Sequence, residues 1–147
     1  KNLPNAKVSA IDISEDALKV AKKNAKLNNV EVNFINADIF DYQSENKYDV
    51  IVSNPPYVTE SEKSLMKSNV VEYEPKQALF VNDNNPLIYY KQILNFSKMS
   101  LNKNGKIYFE INNNYKFDLE QLAYYCNCRK AYFMLDKFKN YRFCVII

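Results

Sequence analysis

Four consecutive residues, Asn54-Pro55-Pro56-Tyr57, have the types and order needed to hold a planar nitrogen for a reaction; we call them the NPPY corner. The two prolines remove two backbone donors and fix two φ angles, and the first disfavours a helical conformation for the asparagine before it. The asparagine side-chain oxygen and a nearby proline carbonyl could each accept a hydrogen bond from one NH₂ group, with the tyrosine ring against its flat face. Terminating the preceding strand is the simpler role of such a corner, but its place after a predicted strand favours a reactive site.

Methylation is the chemistry that such a corner would serve. An amide or exocyclic nitrogen is a poor nucleophile, because its lone pair is delocalised. Two acceptors on its hydrogens raise the electron density at nitrogen and hold it in line with a sulfonium methyl carbon. Such a methyl transfer needs neither a metal ion nor a histidine base. The chain contains no histidine, which excludes a Ser-His-Asp or Cys-His site within it.

Two acidic residues follow predicted strands and are candidate cofactor ligands. Asp12 ends an apolar stretch, where an acid commonly accepts hydrogen bonds from a ribose diol, although it could equally mark the entry of the helix that begins near Ser14. Asp38 is a weaker candidate, since an acid after a strand is common; an adenine amino group could be its donor.

The hydrophobic pattern predicts that strands alternate with helices. Strands are expected at 7–12, 32–35, 48–52, 106–111, 131–135 and 143–147, and helices at 14–28, 60–67, 86–101 and 119–126. Turns are expected at 104–105 and 139–141, and residues 59–85 read as a long loop, of a length that is usually functional.

This element order predicts an α/β fold with a mostly parallel sheet and one antiparallel edge strand. Open parallel sheets bind ligands at the carboxyl ends of their strands. We therefore expect Asp12, Asp38 and Asn54 to lie along one edge of a single domain that spans residues 1–147.

Composition limits the class of protein. The 147 residues carry a net charge of +3, with 20 basic and 17 acidic residues dispersed along the chain, which favours solvated helix faces over a nucleic-acid surface. The longest apolar runs are too short to cross a bilayer, and three cysteines without a secretory signal favour reduced thiols in the cytoplasm. The chain begins at Lys1 rather than at methionine, and we expect it to be part of a longer protein.

Five segments together resemble the HemK/PrmC family, the S-adenosylmethionine-dependent methyltransferases that modify a glutamine side chain of peptide-chain release factors. The resemblance runs from about Val8 to the C-terminus, and the segment around Glu74-Pro75 distinguishes it from adenine and guanine methyltransferases that share NPPY. The segments are IDISEDALKVAKKNA, INADIF, YDVIVSNPPYV, EYEPKQALFVNDNNPLIYYKQIL and GKIYFEI.

The resemblance implies a Rossmann-like, class I methyltransferase fold, S-adenosylmethionine as the cofactor and a release factor as the protein partner, without a metal, a membrane or direct nucleic-acid binding. It implies that Asp12 holds the ribose and that Ile39 packs near the adenine. Asn54 would contact both cofactor and substrate, and the prolines and tyrosine of the NPPY corner would complete the glutamine pocket.

The sequence departs from the family pattern in two respects. Asn112 and Tyr115 stand where the family typically has glycine and glutamine, and the only glycine, Gly105, is not in a cofactor loop. We therefore expect residues 1–147 to lack the family's first strand with its glycine-rich loop, and also its N-terminal helical domain.

Two other functions remain open from the sequence. The NPPY corner would also suit a nucleic-acid methyltransferase that acts on adenine or guanine, although the weak net charge argues against it. The absent glycine-rich loop would instead fit a non-catalytic remnant that serves as a binding module.

Overall fold

The computed structural model describes residues 2–66 and 73–147, and the chain divides into two compact units. Unit 1 is Lys1–Gln43 and unit 2 is Ser44–Ile147. The expectation of a single domain stays a prediction. In the described part of the chain, no helix is long and apolar enough to cross a membrane.

Unit 1 consists of strand β1 (Ser9–Asp12), helix α1 (Glu15–Leu27) and strand β2 (Asn33–Asn36). The two strands are parallel and pair from Ser9 opposite Asn33 to Asp12 opposite Asn36. The Ser14 hydroxyl accepts a hydrogen bond from the backbone of Ala17 and caps α1, and Asn29, with φ of 52°, follows its last turn. The predicted strand–helix–strand order is therefore confirmed.

Unit 2 contains the remaining elements. In chain order they are β3 (Tyr48–Ser53), β4 (Val58–Thr59), a 3₁₀-helix (Glu60–Leu65), α2 (Lys76–Leu79), β5 (Phe80–Val81), α3 (Ile88–Ser100), β6 (Leu101–Glu110), a 3₁₀-turn (Asn113–Tyr115), α4 (Lys116–Tyr125), β7 (Ala131–Leu135) and β8 (Tyr141–Ile146).

The main sheet of unit 2 has the strand order β3-β6-β8-β7. Strands β3 and β6 are parallel, whereas β8 runs antiparallel to both of its neighbours. Strand β8 therefore lies inside the sheet, between β6 and β7. Strand β7 forms an edge of the sheet and runs antiparallel to β8. Among the described residues, β1 pairs only with β2, whereas β3 pairs only with β6. One edge of β1 and one edge of β3 therefore have no strand partner there.

One face of the main sheet forms the core of unit 2. Ile107 and Phe109 of β6 and Cys144 and Ile146 of β8 are almost completely buried. Tyr90 of α3 packs edge-on against Phe109, with the ring centroids 5.1 Å apart. This packing fixes where the carboxyl end of β6 lies relative to α3, and that end carries part of the site described below.

Three sequence predictions need correction. Asn104-Gly105 is not a turn between elements, because β6 is continuous from Leu101 to Glu110 and accommodates these residues as a bulge against β3. The predicted loop 59–85 contains β5 and the second residue of β4, and these two strands form a short parallel pair. The predicted helix 60–67 is a 3₁₀-helix over Glu60–Leu65, and residue 67 lies outside the described residues.

Candidate active site

The carboxyl ends of β1 and β2 bring the two predicted acids together. The Asn36 side chain donates hydrogen bonds to the carbonyls of Asp12 (3.0 Å) and Ile13 (2.9 Å), and Ala37 N–H donates to the Asp12 carbonyl at 3.2 Å. These bonds join the residue that ends β1 to the turn that carries Asp38. Unit 1 therefore places two carboxylates at one end of its sheet.

Asp12 is exposed, and its Oδ1 accepts a hydrogen bond from Ser14 N–H at 2.8 Å. The role at the helix entry is thus observed. Among the described residues no hydrogen bond reaches Oδ2 of Asp12, which leaves an acceptor at the surface for a hydroxyl donor. The two roles considered for Asp12 are compatible with each other.

Asp38 and Ile39 form a tight turn after β2. Asp38 Oδ1 accepts from Phe40 N–H at 2.9 Å, and its carbonyl accepts from Tyr42 N–H at 2.9 Å. Both Asp38 and Ile39 are half-buried. The turn therefore presents an acid and a branched apolar side chain side by side, the pair expected around an adenine ring.

The NPPY corner begins where β3 ends at Ser53. Pro55 is buried, whereas Asn54 is exposed. Among the described residues the Asn54 side chain makes no hydrogen bond, so its amide oxygen is available to a ligand. The predicted contact of Asn54 with cofactor and substrate stays a prediction.

The hydroxyl of Tyr57 is held by hydrogen bonds within unit 2. It donates a hydrogen bond to Glu110 Oε1 at 2.7 Å, and Arg142 Nη1 lies 3.5 Å from the phenol oxygen and 3.7 Å from the same carboxylate oxygen. Burial and the neighbouring Glu110 raise the pKa of Tyr57 to about 12, although Arg142 opposes this. The phenol therefore stays neutral, and what Tyr57 can offer a ligand is its ring.

The carbonyl of Tyr57 is held by a second group of polar side chains. Asn112 Nδ2 donates to it at 3.2 Å and also donates to Glu62 Oε2 at 2.9 Å. Glu62 in turn accepts from Thr59 N–H at 3.0 Å and from Asn114 Nδ2 at 2.7 Å. The tyrosine of the corner is thus bound at both its hydroxyl and its backbone.

Hydrogen bonds lower the pKa of Glu62. Partial burial is the largest single influence and acts in the opposite direction, but the donors on Thr59, Asn114 and Asn112 together outweigh it. Glu62 is therefore a carboxylate at neutral pH, which is the form that can accept all of these bonds.

Little space lies behind Tyr57. The depression there is lined by residues that include Tyr90, Asn112 and Leu119, and it is too narrow to admit a water molecule.

Sequence reasoning missed the residues that hold Tyr57, namely Glu62, Glu110 and Arg142, and gave Asn112 no role. The spacing of Thr59 and Glu62 is a capping-box pattern and was a detectable signal for one of them. Glu110, Asn112 and Arg142 gave no local signal. In the described part of the chain, no group of three acidic, cysteine or histidine side chains could hold a metal ion.

The predicted site residues are divided between the two units. Asp12, Asp38 and Ile39 belong to unit 1, and the NPPY corner belongs to unit 2. Each half is assembled as described, and the shared edge expected for them stays a prediction.

Solved structures show which fold the chain has. The ribosomal protein L11 methylase from Lactobacillus delbrueckii subsp. bulgaricus superposes with a TM-score of 0.68 at 17% identity, over 99% of this chain and 60% of its own. The fold is the Rossmann-like fold of class I methyltransferases.

Sequence comparison gives the family. Residues 1–79 match the methyltransferase small domain family. The release factor glutamine methyltransferase of Flavobacterium psychrophilum is 51% identical over 113 residues, which are 76% of this chain and 40% of the relative. That of Bacteroides thetaiotaomicron is 50% identical over 121 residues, which are 81% of this chain and 44% of the relative. The chain belongs to the methyltransferase small domain family and, within it, to the HemK/PrmC methyltransferases. It spans less than half the length of these curated relatives.

Proposed function

We propose that the protein containing this chain transfers a methyl group from S-adenosylmethionine to the side-chain amide nitrogen of a glutamine in a peptide-chain release factor. The observation that carries the proposal is the exposed, unengaged Asn54 amide on a corner whose tyrosine is fixed at two points. The names of the two curated relatives support the choice of glutamine as the substrate.

Unit 1 would supply part of the cofactor site. S-adenosylmethionine, when bound, supplies an electrophilic methyl group on a sulfonium centre. The unengaged Oδ2 of Asp12 suits a ribose hydroxyl, and the turn of Asp38 and Ile39 suits an adenine, whose amino group donates and whose faces are apolar. The residues present therefore fit the adenosine part of the cofactor.

The NPPY corner would orient the substrate nitrogen. Asn54 Oδ1 and a proline carbonyl each accept one hydrogen of the glutamine NH₂, and these bonds raise the electron density at nitrogen. The ring of Tyr57 covers one face of the planar amide, and its hydroxyl stays with Glu110 rather than competing for the amide. Orientation of this kind can lower a barrier by several kcal/mol.

Proton removal needs no base in this arrangement. The amide nitrogen becomes strongly acidic once the methyl group has arrived, so its proton can leave to solvent afterwards. Asn54 and the proline carbonyl hold that hydrogen until then. This agrees with a chain that contains no histidine.

A methyl-transfer assay with the full-length protein that contains this chain tests the proposal. We expect label from S-adenosylmethionine to enter an intact release factor and to be lost when its target glutamine is replaced. Unchanged incorporation into the replaced factor would contradict the proposal. Transfer to DNA or RNA with steep salt dependence would favour a nucleic-acid methyltransferase instead.

A further inference from the structure

The side chain of Asn112 has a defined orientation. Its Nδ2 lies 3.2 Å from the Tyr57 carbonyl oxygen and 2.9 and 3.2 Å from the two oxygens of Glu62, and all three atoms are acceptors. Its Oδ1 accepts from Asn114 N–H at 3.0 Å. Only the amide group of asparagine meets both requirements at once, because a carboxylate cannot donate.

The Tyr57 carbonyl, which accepts from Asn112, belongs to a segment with few other hydrogen bonds among the described residues. Pro55 and Pro56 have no N–H to give to a strand ladder. The Tyr57 hydroxyl is bound by Glu110, the last residue of β6, and the Tyr57 carbonyl is bound by Asn112, two residues later. One short stretch of backbone thus fixes both ends of the tyrosine.

Glu62 keeps the Asn112 amide in place. Its Oε2 accepts from the Thr59 amide and hydroxyl, each at 3.0 Å, so the carboxylate is anchored on the residue two positions beyond Tyr57. The amide and the carboxylate together close a loop of hydrogen bonds that runs from the Tyr57 carbonyl through Asn112 and Glu62 to Thr59.

We propose that Asn112 is a positioning residue for methyl transfer, which fixes the backbone of the NPPY corner through the Tyr57 carbonyl and is itself oriented by Glu62. The proposal rests on the proposed function for its link to turnover. It gives a role to a position where the chain departs from the glycine typical of the family resemblance.

The test compares Asn112→Asp with Asn114→Ala in the full-length protein. Asn112→Asp keeps the acceptor for Asn114 N–H but replaces the donor to Tyr57, whereas Asn114→Ala removes a bond to Glu62 without touching Tyr57. We expect kcat for the release factor to fall about 10-fold to 100-fold in Asn112→Asp, with the KM for S-adenosylmethionine unchanged. The kcat of Asn114→Ala should fall less than that of Asn112→Asp, because the Tyr57 carbonyl keeps its donor.

The double variant Asn112→Asp/Glu62→Gln separates positioning from stability. It restores an amide–carboxylate pair between the side chains at positions 112 and 62. The exposed Asn114 amide is free to turn and adapt to the exchanged pair. The Tyr57 carbonyl, however, is left without its donor. We expect the melting temperature to recover and kcat to stay low. Recovery of kcat as well would overturn the proposal, as would an unchanged kcat in Asn112→Asp.

Hydrogen exchange gives a readout that does not depend on the substrate. We expect the peptide spanning residues 54–59 to exchange faster in Asn112→Asp and in Asn112→Ala than in Asn114→Ala. Equal exchange in all of them would overturn the proposal. If the wild-type protein failed to methylate a release factor, the proposed function would fail while the exchange comparison still tested Asn112.

Discussion

At the residue scale, Asn54 carries the proposed chemistry. Its side chain is exposed at the end of β3, and no described residue binds it. We expect Asn54→Ala to lower kcat by about 100-fold or more, because one of the two acceptors that orient the substrate nitrogen is lost. Steady-state methyl transfer by the full-length protein measures the loss.

A control separates this loss from unfolding. Asn104→Ala removes an exposed asparagine of β6 that lies away from the corner, and it should keep both the activity and the melting temperature of the wild type. Full activity of Asn54→Ala would instead favour the alternative hypothesis, in which residues 1–147 form a non-catalytic binding module.

Glu62 gives a stability prediction with a defined pH dependence. Its pKa is lower in the folded protein than the ordinary value of 4.5, so the folded state binds fewer protons than the unfolded state near that pH. The stabilisation is therefore complete above pH 4.5 and is lost as the pH falls through the folded-state pKa. We expect Glu62→Gln to lower the melting temperature at pH 7 by about 2 to 4 °C, the shift for about 1 kcal/mol.

The pH series of melting curves is the decisive measurement. The difference between wild type and Glu62→Gln should shrink as the pH falls below 4.5. Glu60→Gln, which removes an exposed acid two residues earlier, is the matched control for the loss of one charge in this segment. A constant difference for Glu62→Gln at every pH would contradict the assignment.

At the element scale, the only glycine of the chain shapes β6. Three residues of β3, from Tyr48 to Val50, lie opposite six residues of β6, from Leu101 to Lys106, so the extra residues of β6 bulge. A Cβ atom on Gly105 would lie 2.6 Å from Leu101 Cγ and 3.0 Å from the Asn102 carbonyl oxygen. The glycine is therefore explained by close packing in a bulge, as expected for glycine inside a strand.

We expect Gly105→Ala to destabilise the protein by about 1 to 3 kcal/mol, the usual cost of overpacking. Because Leu101 is the nearest side chain, Leu101→Ala should make room for the added methyl group. Chemical denaturation of the two single variants and the double variant measures the coupling. Additive losses in the double variant would show that the side-chain contact is not the cause.

Local chemistry predicted most elements because each signal acts within a few residues. The first helix was predicted at 14–28 and is found at Glu15–Leu27, with Ser14 as its cap. The bulge at Gly105 was missed because an Asn-Gly pair usually marks a turn, and only the pairing with β3 keeps it in a strand. Strands β4 and β5 were missed because two-residue strands carry no periodic pattern.

At the scale of the whole molecule, the open strand edges bear on cofactor binding. Among the described residues, β1 and β3 each have one edge without a strand partner, and an unpaired edge leaves backbone groups unsatisfied. The family resemblance implies a glycine-rich loop near the methionine part of the cofactor, whereas the one glycine in residues 1–147 lies in β6. We expect residues 1–147 alone to bind S-adenosylmethionine weakly.

Isothermal titration of residues 1–147 and of the full-length protein tests this expectation. The full-length protein should bind S-adenosylmethionine substantially more tightly. Micromolar binding by residues 1–147 alone would contradict the prediction and would mean that Asp12, Asp38 and Ile39 suffice for the cofactor.

The sequence by itself determined the order of the main elements and the position of the NPPY corner. Caps, prolines and apolar periodicity act on neighbouring residues, so their effect can be predicted before any fold is known. Only the tertiary structure decided what holds Tyr57. Glu110 is 53 residues away in the chain and Arg142 is 85, and Asn112 and Glu62 are 50 apart. Such pairs depend on strand register and loop packing, and no local pattern in the sequence encodes them.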